Sequence, residues 1–403
     1  MHICLSILIT LYCLCSCLSF LSSEVFCGSN KNSVLKENDT IRFKQLADTY
    51  KTIAEEGPDA FYSGSLTQDI LDEIKDAGGI ITREDLKSYK PVLNEYAVNF
   101  TVGNYIFLAP DAPFGGPVLA LIFNILKGYN ISSSSVSTIE NKILTYHRMI
   151  EAFRFADAQK SKLGDPLYED LTEIVKIMTS ESFADDIRSK ITDPGTHQLN
   201  YYEQEDIDGV PDDHGTSHLS VLAEDGSAVA VTNSINNHFG SGVMSNSTGI
   251  IFNDQMNDFI DPELISAHGK NNLIKPGKRP LSSMCPTIIL DKHSKQVKMV
   301  VGGAGGTNIT TSVAQVILNY LFFNNGLQEA VKEPRVYIRE TETRVEDDFD
   351  KSVIHGLKLK NHTIYHTSLS DKTSLSVVQA VVREGDKICA ESDYRNHGCP
   401  AGY

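Results

Sequence analysis

Positive charge is in short supply. The 403 residues carry 36 Lys and Arg against 52 Asp and Glu, a formal net charge of −16. That balance excludes nucleic acid as a partner, because phosphate backbones are bound through a basic surface. The chain also lacks internal repeats and linkers; only 132–135, four serines, is biased in composition. One interleaved globular unit is therefore expected, although the length alone would suit two or three domains. His and Cys show no zinc-ligand spacing, so no metal is expected, and no other cofactor either. A glycine-rich run, Gly302-Gly303-Ala304-Gly305-Gly306-Thr307, follows the apolar stretch 297–301. It lacks both the lysine-plus-hydroxyl ending of a phosphate loop and the full dinucleotide fingerprint. What it retains is backbone N–H groups that can approach a ligand closely, as an oxyanion requires.

Residues 1–23 contain no Lys or Arg and are rich in Leu, Ile and Cys. Their length suits a cleaved signal peptide or a membrane anchor through residues 3–23; a misassembled start is the third reading, and all three stay open. A signal or an anchor would place the remainder outside the cell, secreted or at the plasma membrane. Six Asn-x-Ser/Thr sequons fit that compartment. Asn38, Asn99, Asn130, Asn246 and Asn361 are the expected sugar acceptors, whereas Asn308 beside the glycine run is expected to be buried. Four of the eight cysteines (Cys4, Cys13, Cys15, Cys17) lie in the leader. Of the others, Cys389 and Cys399 could bridge each other, but two free thiols of a hairpin are the expectation.

Helical patterns occupy the first half. A run with Ile41, Leu46, Ala47, Tyr50, Ile53 and Ala54 opens at Thr40 and stops at Gly57. Ser65 with Gln68 reads as a capping box before a helix over 66–77. Pro117 starts a helix over 118–127 with Gly128 behind it, and 144–158 forms a longer one. Strands are expected mostly after Thr216.

Thr216, in the run His-Gly-Thr-Ser-His-Leu-Ser-Val at 214–221, carries the most chemistry. A threonine after glycine at the head of a strand suits a chain that cuts itself and uses the new N-terminal threonine as nucleophile. The hydroxyl is weak without a base, and a free α-amine titrating near neutral pH supplies one. Strands over 218–223 and 228–234 flank Asp225-Gly226, a strong hairpin signal. A turn centred there pairs Ser217 with Ser234, within one register step, and so returns Ser234 to Thr216. Asn236, Gln255 and Asp258 follow, then Ser282 and Ser283 before a proline-flanked strand. These short polar groups suit the two ends of an amino-acid zwitterion.

With these runs in place, the chain resembles the γ-glutamyltransferases (glutathione hydrolases), of the N-terminal-nucleophile hydrolase superfamily. The resemblance rests on Gly-Thr-Ser-His-Leu-Ser-Val at 215–221, Glu-Asp-Gly-Ser-Ala-Val at 224–229 and Gly-Ile-Ile-Phe-Asn-Asp-Gln-Met-Asn-Asp-Phe at 249–259. Arg-Pro-Leu-Ser-Ser-Met-Cys-Pro-Thr at 279–287, Gly-Gly-Thr at 305–307 and Pro-Ala-Gly-Tyr at 400–403 continue it. Upstream, Glu24-Val-Phe-Cys27, Tyr146-His-Arg and Glu151-Ala-Phe-Arg-Phe belong to the same pattern.

The resemblance implies an α+β fold, the four-layer αββα sandwich. It implies self-cleavage between Gly215 and Thr216 into a portion 24–215 and a small catalytic subunit 216–403, held as a heterodimer. Thr216 would attack the γ-glutamyl amide of glutathione and related γ-glutamyl compounds, with Ser234 holding its hydroxyl and Gly305 and Gly306 on the oxyanion. Asn236, Gln255 and Asp258 would hold the α-amino end, and Ser282 and Ser283 the α-carboxylate. The acyl group would pass to water or to an acceptor amino acid or dipeptide. Family members also carry an Ala/Phe-Arg-Glu-x-Ala-Pro run whose arginine clamps that carboxylate. No such run occurs here, so part of the N-terminal elements is expected to be lacking, and the rival reading is a catalytically inactive truncated homologue, either a non-enzymatic secreted protein or an incomplete gene model. A cysteine four positions before Cys27 is implied too; Ser23 stands there, so Cys27 is expected without its local partner.

Overall fold

The computed structural model describes residues 25–27, 33–36, 38–202, 215–260, 269–339, 342–368, 375–396 and 398–402. The leader 1–23, read above as signal or anchor, lies outside them. Among the described residues no helix is long and apolar enough to cross a membrane. The chain divides into two compact units, one of residues up to Glu95 together with Asn237–Asp254, the other of Tyr96–Asn236 with Gln255 onward.

The first unit is helical: α1 (Lys44–Glu56), α2 (Asp59–Tyr62), α3 (Thr67–Asp76) and α4 (Arg83–Ser88). The expected capping box at Ser65 does not form. The Ser65 hydroxyl donates to Glu56 at 2.7 Å, Gln68 turns to Asp72, and α3 starts without a side-chain cap. The box sits instead at Thr82–Asp85, heading α4. Cys27 is disulfide-bonded, and since Ser23 stands four positions earlier the bond is not the local one that the family pattern implies. Cys285, Cys389 and Cys399 are free thiols.

The second unit is built on an antiparallel sheet of six strands. These are β1 (Val98–Val102), β2 (Tyr105–Ala109), β5 (Thr287–Asp291), β6 (Val297–Ala304), β10 (Val377–Glu384) and β11 (Lys387–Ser392), in the order β1-β2-β5-β6-β10-β11. Strands from both sides of Gly215 therefore share one sheet. Its helix-side residues, including Met299, Val301, Ala380 and Val382, are fully buried with α5 (Gly116–Lys127), α6 (Ile139–Lys160) and α9 (Ile309–Ile317). Helix α5 is apolar all round, which suits a helix enclosed on every side. Short helices α7 (Thr172–Met178) and α8 (Glu181–Lys190) pack beside α5, α10 (Leu327–Lys332) lies by β10 and β11, and α11 (Lys351–Leu359) lies against α6. A further sheet, β7 (Val336–Arg339), β8 (Glu342–Glu346) and β9 (Thr363–Thr367), follows α10 and spans α11 in the chain.

On the opposite face of the six strands lies the hairpin β3 (Thr216–Leu222) and β4 (Ala228–Ser234), packed on β6 and β10. Its pairing is Thr216 with Ser234, one step from the centred-turn register. The reason is local. Gly226, at φ +88°, closes a three-residue loop rather than a two-residue one, with Ala223 N–H donating to the Ser227 carbonyl at 2.8 Å. Helices, six-stranded sheet and hairpin give three of the αββα layers. The outer face of the hairpin carries Leu219, Val221, Val229 and Val231 at 41–60% exposure.

Candidate active site

Strand register brings the nucleophile candidate to its neighbour. Thr216 Oγ1 and Ser234 Oγ share a hydrogen bond of 2.8 Å, and both side chains face the six-stranded sheet. Ser234 Oγ also receives the Asn236 backbone N–H at 2.8 Å. Asn236 is fully buried at φ +74°, a left-handed conformation that asparagine tolerates and that turns the chain out of β4. Gln255 Nε2 donates to Asp258 at 2.6 Å and lies 3.5 Å from Asn236 Oδ1. These residues form one polar chain leading away from Thr216.

Asn272 extends it, and no sequence pattern pointed to it. Its side chain is buried, donates to the Asp258 carbonyl at 2.7 Å and accepts the Leu281 N–H at 2.9 Å. The Asp258 loop is thereby joined to the Ser282–Ser283 loop. That second loop is also fixed from outside. Arg279 clamps the buried Asp165 through its backbone N–H and guanidinium, at 2.7–3.1 Å. Burial alone would raise the Asp165 carboxyl, but the bonds from Arg279 outweigh it and hold it below the usual range. Thr310, in the first turn of α9, donates to the Ser283 carbonyl at 2.9 Å. The serines consequently sit against the loop that starts α9.

That loop is the glycine run. Gly305, at φ +125°, adopts a backbone conformation closed to other residues, and a Cβ there would lie 2.5 Å from Ser376 Cα. Gly306 follows at φ +57°. No carbonyl among the described residues accepts from the N–H of Gly305 or Gly306, which leaves both as donors for an oxyanion.

Two neighbouring groups are otherwise engaged or enclosed. His218, two residues along β3, is held between Thr232 Oγ1 at 2.8 Å and Ser220 Oγ at 2.9 Å. Burial lowers its pKa to about 4, so it stays neutral. Cys285 is fully buried and its thiol is pushed up to about 12, an inert sulfur.

One ligand-type cluster has no precedent in the sequence spacing. His147 and Glu151 on α6 and His362 before β9 bring donor atoms within 4.8 Å of one another. The structure engages them in a hydrogen-bonded network. His147 Nε2–H donates to the Thr192 carbonyl at 2.9 Å, which leaves Nδ1 to accept from His362 Nε2 at 2.8 Å. Glu151 accepts from Thr196 and Tyr202. Burial holds the two imidazoles at about 4 and about 3. Of the sequons, Asn38, Asn99, Asn130, Asn246 and Asn361 are exposed; Asn308 is half-buried, not buried as expected.

An αββα architecture with a hydroxyl at the head of a sheet-facing strand belongs to the N-terminal-nucleophile hydrolases. Cephalosporin acylase from Bacillus halodurans superposes with a TM-score of 0.81 at 25% identity, covering 95% of this chain and 66% of that one. The chain belongs to the gamma-glutamyltranspeptidase family, whose profile matches residues 20–403. It is 37% identical over 384 residues to Scoloptoxin SSD14 of Scolopendra dehaani, covering 94% of this chain and 65% of that one. Glutathione hydrolase 5 proenzyme of Rattus norvegicus is 35% identical over 380 residues, covering 93% of this chain. The chain thus spans about two thirds of the length of these relatives, 64–65%.

Proposed function

We propose that this protein is a γ-glutamyl hydrolase and transferase acting on glutathione and related γ-glutamyl compounds through Thr216. The observation that carries the reading is the continuous polar chain from Thr216 and Ser234 through Asn236, Gln255 and Asp258 to Asn272 and the Ser282–Ser283 loop. One end offers carboxylate and amide oxygens to an ammonium group, and the other offers hydroxyls to a carboxylate. These are the two ends of a γ-glutamyl head.

The reaction runs in two stages. In the first, Thr216 Oγ attacks the Gly215 carbonyl carbon, the C–N bond breaks, and the acyl group moves from nitrogen to oxygen. The Gly215 carbonyl already accepts the Ile235 N–H at 3.1 Å, where charge develops. Water then cleaves the ester, leaving Thr216 with a free amine. In the second stage that amine takes the hydroxyl proton as Oγ adds to the γ-carbonyl, while Gly305 and Gly306 N–H groups take the oxyanion. The amine returns the proton to the leaving nitrogen. Water or an acceptor amino acid or dipeptide releases the glutamyl group from the ester. The portions 24–215 and 216–403 remain together because they share the six-stranded sheet.

A secretory or plasma-membrane location with the catalytic part outside the cell accords with the disulfide at Cys27 and five exposed sequons. The test is direct. The full chain is expressed, run on a denaturing gel, and any new N-terminus is sequenced before assay with γ-glutamyl-p-nitroanilide and glutathione. A fragment beginning Thr216-Ser217-His218 with turnover of both substrates is expected, and neither in Thr216→Ala. Unchanged glutathione hydrolysis by Thr216→Ala would overturn the proposal, and an uncleaved, inactive wild type would favour a non-enzymatic homologue.

A further inference from the structure

Helix α6 delivers a cation to the two serines. Lys160 ends its 22 residues, and its Nζ donates to Ser283 Oγ at 2.5 Å. Lys160 is half-buried and forms no ion pair among the described residues. Asp157, one turn earlier, acts on Arg154 instead. A partly desolvated ammonium held against a hydroxyl, without a carboxylate, is a site short of one anion.

The hydroxyls show what kind of anion. Ser283 is 6% exposed and uses its oxygen to accept from Lys160; its own proton has no acceptor among the described residues. Ser282 Oγ accepts the Met284 N–H at 3.2 Å and likewise keeps its proton uncommitted. The Lys160 ammonium and the Ser283 hydroxyl thus meet with hydrogens to offer, and the adjacent Ser282 hydroxyl has one as well. Acceptance of the ammonium bond also polarises the Ser283 O–H towards donation. The matching ligand group is acceptor-only, anionic and two-pronged, a carboxylate.

We propose that Lys160 is a charged member of this subsite, binding the α-carboxylate of the γ-glutamyl group with Ser282 and Ser283. The inference rests on the function proposed above and adds a residue that the motif resemblance did not assign. Lysine offers a point charge with three donors, in contrast to the rigid fork of an arginine.

The full-length processed protein is assayed with γ-glutamyl-p-nitroanilide and with 4-aminobutanoyl-p-nitroanilide, which keeps the amine and lacks the carboxylate. Lys160→Met is expected to raise KM for the first about 10- to 100-fold with kcat little changed, the worth of one charge-assisted bond. Inhibition by L-glutamate should weaken by the same factor and inhibition by 4-aminobutanoate should not. Lys160→Arg should recover most of the loss. Equal losses with both substrates and both inhibitors, or no loss at all, would overturn the role of Lys160 while leaving the proposed function standing. A wild type that cleaves neither glutathione nor γ-glutamyl-p-nitroanilide overturns the function and this inference together.

Discussion

The imidazole of His218 occupies the space directly over Gly302: a Cβ on that glycine would stand 2.3 Å from the ring's Cε1. Hairpin and six-stranded sheet meet at this point, and the nucleophile candidate is two residues away on the same face. The closeness of β3 to β6 therefore depends on Gly302 having no side chain. Gly302→Ala is expected to lower stability by about 1–3 kcal/mol through overpacking, read by urea unfolding. It should also slow appearance of the 216–403 fragment, because the ring can yield only by lifting β3.

Ser234→Ala removes a hydroxyl that bonds both Thr216 and the Asn236 N–H. Loss of one such bond in the transition state is expected to reduce kcat about tenfold with little change in KM. Steady-state kinetics on the processed form would show it, and an unchanged kcat would remove Ser234 from the chemistry.

Asn272→Ala leaves the half-buried Asp258 carbonyl and Leu281 N–H without their shared partner. A cost of about 1 kcal/mol is expected for each bond lost. Since the two loops it joins are the proposed ends of the binding site, KM should rise more than kcat falls. A variant with wild-type KM would show that the loops hold their positions independently.

Acid stability follows from three imidazoles. His147 and His218 are held at about 4 and His362 at about 3, mainly by burial. Above about pH 6.5 all three are neutral folded or unfolded and have no effect on the balance. Between about 6.5 and 4 the unfolded chain binds protons that the folded chain refuses, so stability falls as pH falls. Each contributes a slope of up to about 1.4 kcal/mol per pH unit. Unfolding free energies at pH 7, 6 and 5 should show this, with the slope smaller by about one proton in His218→Gln.

The C-terminal segment is anchored by charge. The buried Arg395 guanidinium donates to Glu346 and to Asp393, and Arg335 donates to Asp393 at 2.6 Å. Burial alone would raise the Asp393 carboxyl, but the two arginines outweigh it and hold it below the usual range. Arg395→Met leaves carboxylates buried with less compensation and is expected to cost about 3–5 kcal/mol, measured by denaturant unfolding.

Local information was legible and distant information was not. The hairpin could be read from Asp225-Gly226 and the strands around it, and Pro117 marked the start of α5 to within a residue. The register came out one step away because the turn residues alone do not say whether Gly226 closes two residues or three. Ser65 misled for a comparable reason: the box geometry was present in the sequence, but Glu56, nine residues away, took the hydroxyl. Asn272 and Lys160 could not be found by pattern, since each matters through a partner that only the fold brings near. Asn272 reaches back 14 residues and Lys160 reaches forward 123. The His147–Glu151–His362 cluster is likewise scattered along the chain, its histidines 215 positions apart.

The turn at Gly226 has one further consequence, a matter of parity. Five residues separate the closing pair Leu222 and Ala228, so each inward residue of β3 meets an inward residue of β4. An even count would set Ser234 opposite Ser217 instead, on the outward face, and send its hydroxyl to the opposite side from Thr216. Whether the two hydroxyls meet is thus settled at the far end of the hairpin, roughly 20 Å away, by a turn that takes no part in the chemistry.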